Sequence, residues 1–353
     1  MSGGVDSSVA AGLLVRQGHE VVGATMQLSP ELPPAAVPSY GGCCSVQAVT
    51  DARRVADGLG IPHYVLNYRD VFARTVVDPF VGAYAAGRTP NPCLACNRYV
   101  KFGALLAQAR ALDCQYVATG HYARVVPVAG DELGLFRATD PARDQSYALY
   151  NLTQAELPRV LFPVGDLAKP EVRRLAGEMG LPVATKPDSQ EICFVVEGGY
   201  RDFVVDRVPS AGRPGPVVDR TGRVVGTHRG IAGYTVGQRR GLGLAVGEPL
   251  YVVAVDAAQN RVVVGSRPEA HSSGLVAGDV TTVSGRPLSA GRRVAAQIRY
   301  GGPPVAAEVA AVAADSWTIR FAEPQFAVTP GQAVVLYDGQ RVLGGGIIDE
   351  ARR

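Results

Sequence analysis

The first eight residues have the types and spacing of a phosphate-binding loop. Gly3 and Gly4 lack Cβ atoms, so the backbone can turn tightly there and direct successive N–H groups at one point. Asp6, Ser7 and Ser8 lead without a break into an apolar helical run. The positive end of a helix dipole favours an anion at such a position. The stretch therefore predicts an anion-binding loop, with a plain glycine-rich helix start as the alternative.

Two cysteines form a second candidate site, within residues 89–103. Asn91 and Pro92 have the properties of an N-cap and a first helical residue. Cys93 and Cys96 would then lie on one face of the first helical turn, where the helix dipole lowers the pKa of a thiol and makes the thiolate available. The alternative is a buried structural pair, although a polar, proline-flanked helix start is a poor place for a core.

The remaining cysteines and the lysines are less specific. Cys193 has apolar residues on one side and carboxylates on the other, which leaves its ionisation state open. We expect residues 29–42 to form a loop, Cys114 to be a core residue, and Cys43 and Cys44 to be loop residues of unknown purpose. The chain has three lysines among 35 basic residues, and two of them lie within seven residues of a cysteine. An ammonium on a flexible stem can do what a guanidinium cannot, so each lysine is informative unless its place is chance. These lysines are Lys101, Lys169 and Lys186.

The elements that must position these residues have an α/β pattern up to about residue 203. Strands are predicted over 20–26, 61–66 and 115–119, and helices over 45–59 and 71–85. This alternation predicts a doubly wound parallel sheet, which binds ligands at the carboxyl ends of its strands. Met26 would then border an adenine, although it suits the core equally well, and Gly120 and His121 would face the same crevice. Met1 alone precedes the loop, so we expect a further strand of roughly six to eight residues upstream of it in the natural protein.

The second part of the chain has a different character. Short β-branched runs separated by Gly, Pro and Asp occupy 223–227, 250–255, 261–264, 293–298, 305–312 and 333–337. They predict β-rich domains with a barrel or sandwich at the C-terminus. A glycine-rich basic stretch over 226–243 suits a phosphate backbone, and Arg299 beside Tyr300 suits RNA bases.

Length and composition exclude several classes of protein. With 353 residues, 47% of them hydrophobic and 19% charged, the chain is globular and long enough for two or three domains. No apolar run reaches the length of about 18 residues that a transmembrane helix needs, and no signal peptide is present, so a cytoplasmic location is predicted. Six cysteines in this context suggest metal or redox chemistry rather than a disulfide scaffold. A net charge of +3 permits a nucleic-acid partner without demanding one.

The opening pattern Ser-Gly-Gly-x-Asp-Ser differs from the G-x-x-x-x-G-K-[ST] loop and resembles the pyrophosphate-binding loop (PP-loop) of the N-type ATP pyrophosphatases. Those enzymes cleave ATP to AMP and pyrophosphate in order to adenylate a substrate oxygen. The whole chain resembles the MnmA family, the bacterial tRNA-specific 2-thiouridylases. The motifs that carry this resemblance, in chain order, are 2–8, 89–103, 119–122, 143–147, 188–194, 226–243 and 297–300.

The resemblance implies three domains: a PP-loop ATP pyrophosphatase core over 1–203, a small β-rich central domain over 204–272 and a C-terminal β-barrel over 273–353. It implies a tRNA-uridine 2-sulfurtransferase that uses ATP and Mg²⁺, accepts sulfur from a donor such as a cysteine desulfurase or a sulfur-relay protein, and acts on the wobble uridine of tRNA. The C2 oxygen would be adenylated, and the sulfur would come from an enzyme persulfide. No membrane partner is expected.

The resemblance also implies roles for individual residues. Cys193 would carry the persulfide, and Cys96 would be the catalytic partner nucleophile, either freeing hydrosulfide or forming a Cys96–Cys193 disulfide. Asn91, Pro92 and Cys93 would line the pocket of the target base. The implied ATP-binding residues are Ser2, Gly3, Gly4, Val5, Asp6, Ser7, Ser8, Met26 and Gly120. The implied tRNA-binding residues are His121, Arg143, Asp144, Gln145, Arg299 and Tyr300.

One position departs from the family pattern, because some relatives have Asp where this chain has Cys93. A thiol cannot replace a carboxylate in proton transfer at neutral pH. Cys93, Cys96 and Cys193 together raise the hypothesis of a three-thiol iron–sulfur cluster with one open iron.

Two other classes of function stay open. A different adenylating ligase, of the amidotransferase or argininosuccinate-synthase kind, needs no paired thiols. A zinc-stabilised RNA-binding module without catalysis would need a fourth ligand such as His121 and would leave the opening loop unexplained.

Overall fold

The structure is a computed structural model that describes residues 1–28, 46–128, 130–187, 192–195, 199–244 and 247–353. The loop expected over 29–42, Cys43, Cys44 and the motif residues 188–191 lie outside the described residues. The chain divides into two compact units. The first unit contains Met1–Val76, Cys93–Glu197 and Gln340–Val342, and the second contains Val77–Pro92, Gly198–Gly339 and Leu343–Arg353. The three domain ranges drawn from the sequence stay predictions.

The helices and strands, in chain order, have the following bounds. The α-helices are α1 (Val5–Arg16), α2 (Val46–Leu59), α3 (Arg69–Phe72), α4 (Asp78–Ala85), α5 (Pro92–Ala95), α6 (Leu105–Ala111), α7 (Lys169–Glu178) and α8 (Tyr200–Arg207). Two segments are π-helical, Ala73–Val77 and Cys96–Ala104, and short 3₁₀ turns occur at Ser146–Leu149, Leu157–Arg159, Pro209–Gly212, Ile231–Gly233 and Pro268–Ala270. The strands are β1 (Gly23–Gln27), β2 (His63–Asn67), β3 (Val117–Ala118), β4 (Ala123–Pro127), β5 (Leu133–Arg137), β6 (Val160–Leu161), β7 (Gly215–Val218), β8 (Val224–His228), β9 (Tyr251–Asp256), β10 (Arg261–Gly265), β11 (His271–Thr282), β12 (Arg293–Gln297), β13 (Val305–Val312), β14 (Ser316–Phe326), β15 (Ala333–Asp338) and β16 (Arg341–Arg352).

The first unit has the predicted α/β arrangement with parallel strands. Among its described residues, β1 pairs with β2 and β3 pairs with β6, both in parallel, while β4 and β5 form an antiparallel hairpin. Helix α1 packs against α2 and α7. Its apolar side chains, with Val9 completely buried, join Val55 of α2 and Val172 of α7 in one core. The start of α1 is thereby fixed from two sides.

The predicted helix over 71–85 is interrupted in the structure. It consists of α3, the π-helical turn Ala73–Val77 and α4. Pro79 at the start of α4 has no N–H to donate to the preceding turn, so a continuous α-helical hydrogen-bond pattern is impossible there. The predicted strand over 115–119 shortens to Val117–Ala118, because the chain turns at Gly120 to approach α1.

The second unit is built mainly of β-structure, as predicted. Strands β7 to β10 form a four-stranded sheet in the order β8-β7-β10-β9. Strands β11 to β16 form a closed six-stranded barrel in the order β11-β14-β13-β12-β15-β16, with β16 paired back to β11. The barrel interior is filled by apolar side chains that include Leu275, Trp317, Ile319, Leu336 and Ile348. The predicted C-terminal barrel is confirmed.

Three long barrel strands have no counterpart in the sequence interpretation. Strand β11 has irregular pairing between Ser272 and Gly274 and again between Gly278 and Thr281. Strand β16 contains a glycine run, and β14 alternates apolar and charged residues. Glycines and charged residues interrupt the β-branched runs from which strands are predicted, so these three strands are not recognised. Closure of the barrel nevertheless depends on their pairing. Within the described residues, no helix is both long and apolar enough to cross a membrane.

Candidate active site

The loop at the start of α1 is held by its own serines. Gly3 has φ of +65°, a conformation that glycine adopts without strain, and the helix begins after Gly4. The backbone N–H of Ser2 donates to Ser7 Oγ at 3.1 Å, and Ser7 Oγ in turn lies 3.2 Å from the Gly4 carbonyl, to which it donates. Ser8 is buried, and its hydroxyl donates to the same carbonyl at 2.8 Å. The serines therefore fix the shape of the turn.

Two glycines allow other parts of the backbone to press against this loop. A Cβ atom on Gly3 would lie 2.4 Å from the Ala48 carbonyl oxygen of α2. A Cβ atom on Gly120 would lie 2.5 Å from both the Asp6 carbonyl carbon and the Ser7 nitrogen. Gly120 therefore allows a close approach between its own backbone and the backbone of the loop.

A buried lysine holds the carboxylate of the loop. Lys169 Nζ, at the start of α7, donates to both oxygens of Asp6, at 2.7 and 2.9 Å. The hydroxyl of Tyr122 donates to Asp6 Oδ1 at 2.7 Å, and the ammonium of Lys169 lies 5.9 Å from the centre of the Tyr122 ring. The Lys169 side chain is 7% exposed and that of Asp6 is 29% exposed. The negative charge of Asp6 is therefore balanced by Lys169, and its side chain is held in place.

A second lysine reaches the loop backbone. Lys186 Nζ donates to the Gly3 carbonyl at 2.9 Å and to Asp51 Oδ2, on α2, at 2.6 Å. Burial alone raises the pKa of Asp51, but hydrogen bonds from Lys186 and Gln47, together with the positive charge of Lys186, hold that pKa below its ordinary value. Asp51 is therefore ionised at neutral pH, and Lys186 forms an ion pair beside the loop.

The third lysine contacts His121. Lys101 Nζ lies 3.4 Å from His121 Nε2, and His121 Nδ1 lies 2.7 Å from Thr119 Oγ1. Burial, and secondarily the charge of Lys101, lowers the pKa of His121 well below its ordinary value. The imidazole is therefore neutral at pH 7; its Nε2 accepts from the ammonium and its Nδ1–H donates to the threonine hydroxyl.

The cysteine pair occupies two different environments. Cys93, in α5, is exposed, whereas Cys96 is buried and begins the π-helix Cys96–Ala104. Long π-helical segments are rare, and π-helical turns are frequent at functional sites. Cys193 is half-buried, and its neighbour Phe194 packs edge-on against Phe72 of α3, with ring centres 5.5 Å apart. Helix α3 also packs against the π-helix, so the residue next to Cys193 and the segment that begins at Cys96 contact the same helix.

No metal centre is evident among the described residues, where no group of three or more His, Cys, Asp or Glu side chains is arranged to hold an ion. Cys93, Cys96 and Cys193 are all described, so in this arrangement they do not fit the hypothesised iron–sulfur cluster.

The residues expected to bind tRNA divide into two groups. Asp144 accepts hydrogen bonds from the Arg137 guanidinium, from the Ala138 and Ser146 amides and from the Ser146 hydroxyl. Gln145 exchanges two hydrogen bonds with the Tyr122 backbone. These side chains serve the fold of the turn, whereas the exposed residues offer surface to a partner. The exposed members are Arg143, Arg299 and Tyr300.

The other predicted site residues have varied surroundings. The Val5 side chain belongs to the core, so Val5 would contact a nucleotide through its backbone. Met26 is half-buried in β1, opposite Leu66 of β2. Asn91 and Pro92 are half-buried and are grouped with the second unit, in which Thr89 is tied by hydrogen bonds from Gln332 and to the Pro330 carbonyl.

Four residues that lie far from the loop in sequence but bind it or its partners in the structure were not identified as site members from the sequence. Lys169 and Tyr122 bind Asp6, Lys186 binds the Gly3 carbonyl, and Asp51 binds Lys186. The scarcity of lysine is the usable signal, since Lys169 and Lys186 contact the loop and Lys101 contacts His121, the residue that follows Gly120.

Comparisons with known proteins define the class first. A family model described as "tRNA methyl transferase HUP domain" matches residues 1–197. "tRNA methyl transferase PRC-barrel domain" matches residues 201–266, and "Aminomethyltransferase beta-barrel domain" matches residues 272–348. The protein is thus a HUP-domain protein with a central β domain and a C-terminal barrel.

Individual relatives identify the family. The tRNA-specific 2-thiouridylase MnmA of Moorella thermoacetica is 53% identical over 99% of this chain and 98% of its own length. Those of Carboxydothermus hydrogenoformans and Symbiobacterium thermophilum are 52% and 50% identical, each over 99% of this chain and over 96% and 91% of their own lengths. The chain belongs to the MnmA family. One solved structure, an NMN synthetase from Francisella tularensis, aligns over 59% of this chain and 74% of its own with a TM-score of 0.32 and 18% identity, too weakly to bear on fold or function.

The packing of Gly120 against the loop leads to a first prediction. We expect Gly120→Ala to lower thermal stability by about 1–3 kcal/mol, because the added Cβ meets backbone atoms that cannot move aside. The matched control is Gly58→Ala in α2, where an added Cβ meets nothing within 4 Å and alanine favours the helix. Thermal melting of both variants checks this. Equal melting temperatures for Gly120→Ala and wild type would show that the contact is not tight.

The neutral imidazole of His121 leads to a second prediction. The unfolded chain takes up a proton at this residue below about pH 6.5 and the folded chain does not, so folding stability falls as the pH drops through that value. We expect His121→Gln to reduce the loss in melting temperature between pH 7.5 and 5.5 by a few degrees, since a difference on the order of 1 kcal/mol is involved. His63, whose pKa burial also lowers, keeps part of the slope. The exposed His19 supplies the control variant, His19→Gln. An unchanged slope in His121→Gln contradicts a neutral imidazole at His121 in the folded protein.

Proposed function

We propose that the protein is a tRNA 2-thiouridylase that adenylates the C2 oxygen of the wobble uridine and replaces it with sulfur. The products are 2-thiouridine, AMP and pyrophosphate. The observation that carries this proposal is the occurrence, in one unit, of a PP-loop at a helix start and of two cysteines on segments that both pack against α3. Family membership supports the choice of substrate, because the named relatives are tRNA-specific 2-thiouridylases.

Adenylation is required because oxygen is a poor leaving group at a pyrimidine C2 carbonyl. The uridine oxygen attacks the α-phosphorus of ATP, the bond from that phosphorus to the pyrophosphate oxygen breaks, and AMP becomes the leaving group at C2. The loop at Gly3–Ser8 binds the departing pyrophosphate through backbone N–H groups at the positive end of α1. Fixed dipoles of this kind need no rearrangement when charge develops.

Sulfur transfer follows at the activated carbon. The outer sulfur of a persulfide on Cys193 attacks C2, and AMP departs with the former uridine oxygen. The thiolate of Cys96 then attacks Cys193 Sγ, so that the thionucleoside is released and a Cys96–Cys193 disulfide forms. In the alternative order, Cys96 frees hydrosulfide from the persulfide before the attack on C2. External thiol must reduce the disulfide before the next turnover.

The tRNA-binding role falls on exposed basic and aromatic side chains. Arg143 in the first unit and Arg299 with Tyr300 in the second are suited to phosphate contacts and base stacking. The basic stretch 226–243 contributes three exposed arginines, whereas its histidine is buried and bonded to the Asn260 backbone. These arginines are Arg229, Arg239 and Arg240.

Mg²⁺ fits this site as a companion of the nucleotide. It would be held mainly by phosphates and water, because both oxygens of Asp6, the carboxylate that the loop itself contains, already accept hydrogen bonds from Lys169. The ion would neutralise phosphate charge. The iron–sulfur alternative gains no support from the positions of the three thiols, and no step depends on it. The sulfur donor and the cytoplasmic location stay predictions.

Cysteine variants test the proposal directly. We expect wild-type protein, incubated with ATP, a persulfide source and an unmodified tRNA transcript, to form 2-thiouridine detectable by mass spectrometry. Cys96→Ala and Cys193→Ala should each abolish thiolation, because each removes a sulfur atom that the mechanism uses. Cys114→Ala should retain activity, since this half-buried thiol packs against a small cluster elsewhere in the unit.

Separate assays of the two half-reactions distinguish the competing classes. The single cysteine variants should still form AMP and pyrophosphate in the presence of tRNA. If a Cys96→Ala, Cys193→Ala double variant still completed the whole reaction, and not only AMP formation, the result would favour an adenylating ligase of another kind. Failure to bind ATP would favour a non-catalytic RNA-binding protein.

A further inference from the structure

Two of the lysines contact the PP-loop, and their surroundings differ. Lys169 is 7% exposed and is committed to both oxygens of Asp6. Lys186 is 28% exposed, and among the described residues its ammonium meets two acceptors, the Gly3 carbonyl and Asp51 Oδ2. An ammonium has three N–H donors, so one donor of Lys186 remains for solvent or a ligand. The surroundings of Lys169 are therefore typical of a residue that stabilises the fold, whereas those of Lys186 are typical of a residue that binds a ligand.

The main chain of Lys186 is anchored independently of its side chain. Arg173 of α7 donates to the Lys186 carbonyl from both terminal nitrogens, at 3.2 and 3.3 Å, and to the Ala184 carbonyl at 2.9 Å. The aliphatic stem thus starts from a fixed point and ends at the loop backbone. A charge held in this way is preorganised for an anion that arrives at the loop.

Asp51 has a second partner that would hold it if Lys186 turned toward a ligand. Gln47, one turn earlier in α2, donates to Asp51 Oδ1 at 2.7 Å, whereas Lys186 uses Oδ2. Asp51 is 13% exposed in its side chain, so it keeps some contact with water as well. Gln47 and this contact with water would offset part of the cost of loosening the ion pair.

We propose that Lys186 is a phosphate-binding catalytic residue of the adenylation step, a role that rests on the function proposed above. Its ammonium binds the oxygens of the β- and γ-phosphates at the loop. When the uridine oxygen bonds to the α-phosphorus, the electron pair of the breaking P–O bond passes to the pyrophosphate, and the positive charge of Lys186 stabilises it. Lys186 keeps its proton throughout. Lys169 acts as a positioning residue through Asp6.

The informative variant is Lys186→Gln, because the glutamine amide keeps a hydrogen-bond donor on a polar side chain while the charge is lost. We expect kcat for tRNA-dependent AMP formation to fall by about 100-fold, the loss typical of removing one group that stabilises transition-state charge. Asp51→Asn is the matched control, since it removes the ion pair but leaves the ammonium in place. It should lose less than about tenfold, as expected for a partly exposed ion pair.

Pyrophosphate alone supplies a second readout that does not depend on thiolation. We expect added pyrophosphate to raise the melting temperature of wild type and Asp51→Asn, and to have a much smaller effect on Lys186→Gln. If Lys186→Gln is unstable, Lys186→Met with the same two assays replaces it. The proposal is overturned if the Lys186 variants keep kcat within about threefold of wild type, or if Asp51→Asn loses as much as they do, since an ion pair that merely holds the loop would behave in that way.

The two hypotheses fail in different ways. If wild type forms no 2-thiouridine but pyrophosphate stabilises it and not Lys186→Gln, the thiouridylase proposal is wrong and the phosphate contact of Lys186 stands. If wild type forms 2-thiouridine and Lys186→Gln retains both readouts, the function stands and the role of Lys186 is wrong.

Discussion

The absence of two Cβ atoms is the constraint on which the first unit depends. Gly3 lies against the backbone of α2, and Gly120 lies against the backbone at Asp6 and Ser7, with no space for even one further carbon atom. These two contacts bring α2 and the end of β3 to the same short loop. Asp51 and Tyr122, on the elements so brought together, can then reach the loop or its partners. A steric condition thus decides which polar groups can meet.

The second requirement is positive charge, because a site for a nucleoside triphosphate must offset several negative charges. The structure supplies ammonium groups in graded surroundings. One is buried against Asp6, one is half-exposed at the Gly3 carbonyl, and one contacts a neutral imidazole. The two lysines at the loop are paired with carboxylates, so the folded chain carries little excess charge there before an anion arrives. Such pairing limits self-repulsion in the folded protein and leaves a cation available at the point of binding.

Much of the architecture follows from the sequence because its signals are local. The loop, α1, the alternation of strands and helices, and a strand with the observed bounds at β13 all depend on neighbouring residues. Cys93 and Cys96, which are predicted to lie on one helical face, differ in burial, since Cys93 is exposed and Cys96 is buried. The helix changes from α to π at Cys96, and no periodicity rule for α-helices anticipates that change.

The contacts that escaped prediction join residues far apart in the chain. Lys169 reaches Asp6 across 163 positions, and Lys186 reaches Gly3 across 183. Nothing in the local sequence of either lysine names its partner. Asp144 and Gln145 show a second limit. They lie in a polar turn whose sequence is typical of a solvated loop, yet their side chains are hydrogen-bonded into the fold. A polar residue in a turn can serve a ligand or the turn itself, and the sequence of the turn does not distinguish the two.

Retention of lysine in so arginine-rich a chain has a physical explanation at these positions. Lys169 places a compact charge between two carboxylate oxygens beside the Tyr122 ring, in a space that the broad guanidinium plane would fill differently. Lys186 carries three donors around one nitrogen, of which two bind a backbone carbonyl and a carboxylate. Arginine fixes its donors in one plane and cannot reproduce this arrangement. The geometry of the donors, as much as the charge, therefore accounts for lysine at both contacts with the loop.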